Sequence, residues 1–275
     1  MISTIILIVN ILFVLFIILL LIAPGKSTQE MRAPFQNRNI AHRGLHTKDK
    51  TIPENSMAAF SSAIEHGYGI EFDIQLTKDE QIVVFHDDTL NRVCGIDGRV
   101  DDYTYEELQS FFLCGTQEKI PLFSDFLSLV NGQVPLVCEL KNGRKNTILC
   151  EKTLELLKNY KGHYCIESFQ PLIVAWFKRN APHILRGQLS ANMEEFEGKL
   201  SKPAAFALSR LLTNLIARPH FISYHKKKTS WLVKLADRMG AMQVVWTVRD
   251  TDPIKEFESK NDAVIFEFYH PTIKY

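Results

Sequence analysis

Residues 70–76 read "IEFDIQL". Without Glu71 and Asp73 this run would suit a buried strand, and an ionised carboxylate is costly to bury alone. Residues two apart in a strand share a face, so the two carboxylates point the same way. A second run, "VPLVCELK", is apolar until Glu139 and Lys141, which again share a face. A third, "IAHRG", delivers His42 and Arg43. Ordinary pairing with Lys or Arg would explain one such carboxylate. Three converging in a dry site repel one another unless a cation neutralises them, and hard oxygen ligands suit Mg²⁺ or Ca²⁺. Two histidines, His42 and His86, can act as general acid and general base. Arg43 offers a fork of donors that fits a phosphate. A metal, cations and two proton-transfer groups are the parts that cleavage of a phosphate diester needs.

These residues need elements that bring them together. Nine strand-like runs lie at 39–43, 69–76, 82–86, 134–140, 163–168, 183–189, 220–224, 243–248 and 263–268. Amphipathic stretches separate most of them, at 55–66, 105–113, 123–130, 146–160, 171–179, 206–217, 229–239 and 253–259. Strands alternating with helices pair in parallel through crossovers. The second and third runs are joined only by "TKDEQ", too short for a crossover, and are expected to form a hairpin. The predicted fold is therefore α/β, a (β/α)8 TIM barrel with an added β-hairpin strand after the second barrel strand. Charges at the C-terminal ends of barrel strands then meet at one mouth. A turn centred on Asp79-Glu80 pairs Asp73 with His86 and places Glu71, Asp73 and His86 on one face. Segment 87–122, the longest excursion, is expected to fold over one end of the barrel.

Residues 2–23 carry no charge. At about 1.5 Å per residue they span a hydrocarbon core of roughly 30 Å. A cleaved signal peptide would have a basic residue before the run and a small-residue cleavage site after it, and neither is present. The expectation is a transmembrane anchor over 1–23, a linker over 24–38 and a barrel domain over 39–275, giving a single-pass protein of the cell membrane. Lys26, Arg32, Arg38 and Arg43 follow the anchor, and the positive-inside rule then favours a cytoplasmic barrel. The five cysteines are odd in number and form no C-x-x-C pair, so no zinc pattern is present. Net charge is +1, which gives no global field pointing to nucleic acid. The basic run Lys226-Lys227-Lys228 is either a solvated loop or a contact for phosphate or anionic lipid.

The segments "AHRGLHTKDKTIPENSMAAF", "GIEFDIQLTKDEQIVVFHDDTLNRVCGIDGRVDDYTYEEL", "IPLFSDFLSLV", "VPLVCELK", "IESFQP" and "VVWTV" follow one another as in the glycerophosphodiester phosphodiesterase family. The chain resembles that family over about residues 39 to 270. The family fold is a TIM barrel related to phosphatidylinositol-specific phospholipase C, in agreement with the barrel predicted from alternation.

The resemblance implies roles by position. His42 and His86 match the acid/base pair. Glu71, Asp73 and Glu139 match metal ligands, and in some members the position of His86 is also assigned to the metal. Arg43 and Lys141 match phosphate contacts, and Glu54 a residue that orients Arg43 or the metal shell. Trp246 matches an aromatic of the substrate cleft; Phe169 either lines it too or belongs to the core. The implied reaction is hydrolysis of a glycerophosphodiester to sn-glycerol 3-phosphate and an alcohol, with water or the glycerol 2-hydroxyl as nucleophile. Alternatives are lysophospholipase D action on a lysophospholipid and an inactive membrane-bound barrel scaffold. The last strand departs from the family: "AVIFEFYHP" has Glu267-Phe268 where Thr-Asp is usual. Segment 191–219 contains an amphipathic helix, read either as an outer barrel helix or as an interfacial helix that feeds lipid to the site.

Overall fold

A computed structural model describes residues 2–227 and 230–273, so Lys228 of the basic run lies outside the described residues. Nine strands form one sheet: β1 Arg38–His42, β2 Gly69–Leu76, β3 Ile82–Val84, β4 Leu136–Leu140, β5 Tyr164–Ser168, β6 Leu185–Ser190, β7 Phe221–His225, β8 Met242–Val248 and β9 Ala263–Phe266. Eight of them pair in parallel, and β1 closes the ring by pairing with both β2 and β9. The ninth, β3, is antiparallel and hangs on the C-terminal half of β2. This is the predicted barrel with its added hairpin strand.

The two faces of each strand explain the apparent misfit in "IEFDIQL". Ile70, Phe72 and Ile74 point outwards into the layer between sheet and helices, where Phe72 meets Phe126 at a ring separation of 4.3 Å. Glu71 and Asp73 take the alternate positions and face the barrel interior. Lower in the interior, Ile40, Val137, Cys165, Leu185 and Phe221 form an apolar plug with Phe35. One two-residue step up the same strands, His42, Glu139 and Glu167 replace Ile40, Val137 and Cys165. A Cβ at Gly187 would lie 2.1 Å from the Phe221 ring, so only glycine leaves room for that ring in the plug.

The hairpin differs from the expected one by a single residue. Ile74 pairs with Val84 and Leu76 with Ile82, so Asp73 lies opposite Phe85, whose N–H donates to the Asp73 carbonyl at 2.9 Å. The pairing of Asp73 with His86 is thereby corrected. Five residues connect the strands, and the Thr77 N–H bond to the Gln81 carbonyl closes a three-residue loop, 78–80, with Glu80 held at φ 61°. A left-handed third residue in such a loop is usually glycine, and its absence hides the turn type. His86 then falls just beyond β3, on the loop that leads from the strand to the site.

Residues Ile2–Ile22 form one helix, the only one among the described residues long and apolar enough to cross a membrane. Only its C-terminal end, from about Ile18 on, meets the barrel. Ile22 is buried against Leu211, Ile222 and Leu232, and Asn214 donates to the Ile22 carbonyl at 3.0 Å. Arg218 donates to the carbonyls of Leu20 and Ala23, both at 2.9 Å. Carbonyls that a helix end leaves unpaired are thus satisfied by side chains of the barrel. The stretch 24–38 packs beneath the barrel, where Phe35 is buried in the plug.

Segment 87–122 builds a small core of its own from Leu90, Val93, Val100, Leu108 and Leu113 against Val83 and Phe85. Its helix is shorter than expected, Tyr105–Leu108, begun by a capping box between Thr104 and Glu107. The amphipathic stretch 206–217 is two helices, Lys202–Ser209 and Asn214–Ala217. They are separated at Leu211, whose φ of 60° breaks the helix while its side chain reaches the core.

Candidate active site

Oxygen atoms of Glu71, Asp73 and Glu139 lie within 4.8 Å of one another at the C-terminal mouth, and all three side chains are buried. Two oxygens that ligate one ion at about 2.4 Å lie at most about 4.8 Å apart, so the cluster fits a single divalent cation. Asp73 Oδ1 is buried and accepts no hydrogen bond, its nearest cation being Lys141 Nζ at 3.4 Å. The donor set is all carboxylate oxygen, as a hard cation requires. Burial and then the charges of Asp73 and Glu139 push the Glu71 carboxyl well above its usual range. Burial opposes ionisation at Asp73 too, but His86, Lys141 and Arg43 outweigh it and hold Asp73 low. Burial raises Glu139, with Lys141 opposing. Such a split marks carboxylates that lack enough positive charge.

A fourth buried carboxylate, Glu167, stands beside Glu139 in the β4–β5 ladder. Burial and then the charge of Glu139 raise it to about 8. It lies within the motif "IESFQP" but carries no expected role there, although "YCIES" repeats the signal of "LVCEL", an apolar strand ending in an inward carboxylate.

Each histidine is oriented by its own carboxylate. His42 Nδ1 lies 2.9 Å from Glu267 Oε1, and its Nε2 lies 3.9 Å from Glu71 Oε2. Burial and then Arg43 lower the His42 pKa to about 4, so the ring is neutral near pH 7. His86 Nδ1 lies 2.6 Å from Asp87 Oδ1, which leaves Nε2 as the nitrogen able to exchange a proton. His86 does not belong to the oxygen cluster; as a metal-ligand candidate it stands beside the triad rather than in it.

An unbroken chain of ion pairs joins the two sides of the mouth. Arg43 Nη1 donates to Glu54 Oε1 at 2.6 Å, and Arg92 donates to both Glu54 oxygens at 2.6 and 2.7 Å. Arg92 also donates to both Asp87 oxygens, at 2.6 and 2.9 Å. Burial works against ionisation at Glu54, but the two arginines bring it down to about 2. Glu54 is thus bonded to both Arg43 and Arg92. Asp87 and Arg92 were not foreseen; the charged residue directly after His86 was the available signal. The Arg43 N–H donates to Glu71 at 3.0 Å from a backbone with φ 54°. That left-handed conformation costs about 1 kcal/mol in a non-glycine residue, and strain of this kind gathers at functional sites.

Lys141 Nζ lies 2.7 Å from Glu139 and 3.4 Å from Asp73, on the carboxylates themselves. On the His42 and Arg43 side of the triad opens a cavity of about 530 Å³ whose walls include His42, Arg43, Glu54, Trp246 and Glu267, while the triad carboxylates themselves lie outside its lining. Phe169 is not part of that wall. It packs edge-on behind Trp246, 5.6 Å between centroids. Trp246 donates its indole N–H to the Ser223 carbonyl at 3.0 Å. Glu267, the departure in the last strand, pairs with His42 and with Arg249 at 2.8 Å, and stands 3.5 Å from His46. The group His42, His46 and Glu267 is also compact enough for an ion, but Arg249 already neutralises it.

The fold and the mouth together define a barrel of the phosphodiesterase type. Residues 42–269 match the glycerophosphoryl diester phosphodiesterase family, and the chain belongs to that family. It is 37% identical over 164 residues to a glycerophosphodiester phosphodiesterase of Caldanaerobacter subterraneus, a match over 54% of this chain and 65% of that protein. It is 35% identical over 157 residues to a lysophospholipase D of Rattus norvegicus, over 52% of this chain and 48% of that protein. The matched stretch thus spans between about half and two thirds of these relatives. Among solved structures, a phosphodiesterase of Oleispira antarctica in complex with sn-glycerol-3-phosphate superposes with a TM-score of 0.69 at 22% identity, covering 86% of this chain and 94% of that one. A glycerophosphodiester phosphodiesterase of Parabacteroides distasonis gives 0.65 at 26% identity, over 84% and 93%.

Proposed function

We propose that the protein is a membrane-anchored, divalent-metal-dependent hydrolase that cleaves glycerophosphodiesters into sn-glycerol 3-phosphate and an alcohol. One observation carries this reading: three buried carboxylates, two carboxylate-oriented histidines and two cations meet at one barrel mouth. Glu71, Asp73 and Glu139 would hold the cation, Mg²⁺ or Ca²⁺, which supplies charge stabilisation for the phosphoryl oxygens. Arg43 and Lys141 add donors to the same oxygens. One histidine takes a proton from the attacking water, or from the glycerol 2-hydroxyl with water then opening the cyclic phosphate, and the other gives a proton to the leaving oxygen through its free ring nitrogen. Glu267 and Asp87 fix the ring orientations, and Arg92 keeps Asp87 and Glu54 in place. The apolar helix Ile2–Ile22 anchors the barrel at a lipid surface, with a cytoplasmic barrel favoured by the basic residues that follow it.

The cavity wall is mostly polar, with Trp246 and Phe268 its large apolar members. This suits a water-soluble diester better than the acyl chain of a lysophospholipid. The test uses the full chain in lipid nanodiscs with EDTA, then with Mg²⁺ or Ca²⁺ restored. Metal-dependent release of glycerol 3-phosphate, abolished in His42→Ala and Glu71→Ala, is expected. Turnover of lysophosphatidylcholine alone would replace the substrate class. No turnover with any metal would leave a scaffold. Protease protection of the barrel in sealed cells tests the anchor and its side.

A further inference from the structure

The cavity of about 530 Å³ meets the catalytic groups at His42 and Arg43 and extends away from the triad, so a scissile phosphate held by Arg43 would send its leaving alcohol into it. Cations dominate that outer part. Lys48 and Lys50 reach it from the loop after β1, Lys226, Lys227 and Arg249 from the loops after β7 and β8. Lys226 pairs with Asp252, Lys227 with Glu195 and Arg249 with Glu267. Lys48 and Lys50 are exposed and make no ion pair among the described residues. Arg43 and Lys141 already sit on the triad carboxylates, where the scissile phosphate would bind. The outer cations are therefore surplus to the scissile group.

The same wall is unsuited to a quaternary ammonium. Such a cation is read by open aromatic faces or by free carboxylates. The guanidinium of Arg249 lies over the Phe268 ring at 5.6 Å, so one ring already carries a cation. Trp246 is hemmed by the rings of His225 at 4.9 Å and Phe169 at 5.6 Å. Both carboxylates of the wall, Glu54 and Glu267, are committed to arginines.

We infer that the enzyme selects glycerophosphodiesters whose leaving alcohol carries negative charge, such as a further phosphate, and discriminates against choline-type alcohols, with Lys48 and Lys50 as the selecting residues. This rests on the proposed glycerophosphodiester hydrolysis. The full chain in nanodiscs, with metal supplied, is assayed on glycerophosphocholine, glycerophosphoinositol and glycerophosphoinositol 4-phosphate. Their scissile bonds are alike, and released glycerol 3-phosphate is measured. Expected kcat/KM rises along that series, by about tenfold from first to last at low salt, as charge pairing near a protein surface allows. The ratio falls at about 0.5 M NaCl, where screening is short-ranged. It also falls in the double variant Lys48→Glu, Lys50→Glu; a ratio taken within one protein sample is insensitive to the folded fraction. An equal or higher kcat/KM on glycerophosphocholine would overturn the inference and leave the hydrolysis standing. A preference unchanged in the double variant would remove the two lysines from it. Failure on all three substrates would overturn the hydrolysis, and the inference with it.

Discussion

At the lower end of the barrel, Phe35, Ile40, Val137 and Phe221 fill the interior with apolar volume. One step higher in the same barrel, Glu71 on β2, Glu139 on β4 and Glu167 on β5 put carboxylates into equally buried positions. The backbone makes no distinction between the two layers; the ladders run on through both. The difference is in what each layer contributes to the folded state. Apolar side chains at the base gain stability from burial. Carboxylates at the mouth repel one another and lose hydration, a cost kept only where charge has a use.

The sharpest way to break this comparison is Glu71→Gln. Activity with saturating Mg²⁺ or Ca²⁺ is expected to fall about a thousandfold, on the scale of losing a preorganised electrostatic group. The melting temperature without metal should stay the same or rise, because a repelling carboxylate is gone. A variant that melts clearly lower would show that the mouth also holds the fold together.

The converse change is Phe221→Ala. It empties the plug beside Gly187 and is expected to lower the unfolding free energy by about 3–5 kcal/mol. Denaturant titration measures this, and KM of the folded fraction should not move. Unchanged stability would mean that the plug is not where the barrel is held.

This division shaped what could be read in advance. The barrel was legible because strand and helix periods alternate over the whole chain. Glu71, Asp73 and Glu139 were legible because each spoils an apolar run locally. Glu167 carries the same signal in "YCIES" but lies in a run too short to stand out beside two stronger ones. The position of His86 was misread by one residue, since the register depends on a left-handed Glu80 that a non-glycine sequence does not advertise. Glu267 stands out in the sequence only as a departure from the family's usual last strand. Its partners His42 and Arg249 are 225 and 18 positions away, so no local pattern could reveal a positioning role.

The base holds one titratable group whose burial has a measurable consequence. His220 is buried between the strands β6 and β7 at their N-terminal ends, and its Nδ1 lies 3.4 Å from the Arg186 N–H. Burial, then the charges of Arg186 and Arg32, lower its pKa from 6.5 to about 3. As pH falls the unfolded chain takes up this proton first, so the stability contributed by the neutral ring is complete above 6.5 and lost between 6.5 and 3. The loss is expected to be about 2 kcal/mol at pH 5. Unfolding curves at pH 7 and pH 5 test it: His220→Asn should flatten the difference between them. An equally steep decline in the variant would move the acid sensitivity to another group, with the mouth first in line.

Glu267 lies between the two layers in kind: it is buried at the mouth, yet Arg249 and the histidine rings satisfy it instead of a metal. Burial disfavours its charge, but the hydrogen bond with His42 and the nearby His46 ring outweigh that and hold its pKa far below the usual carboxylate range. It should therefore act through His42 and not by contact with the cation. Glu267→Gln keeps the shape and removes the charge that aligns the ring. A fall in kcat of about tenfold with little change in KM is expected, the lower end of what partners behind a functional histidine contribute. Glu267→Asp, which restores the charge one methylene further back, should recover part of the loss. Equal falls in kcat and in melting temperature for both variants would assign Glu267 to the fold. An increase in KM alone would instead assign it to the substrate wall, through the Arg249 that it holds over Phe268.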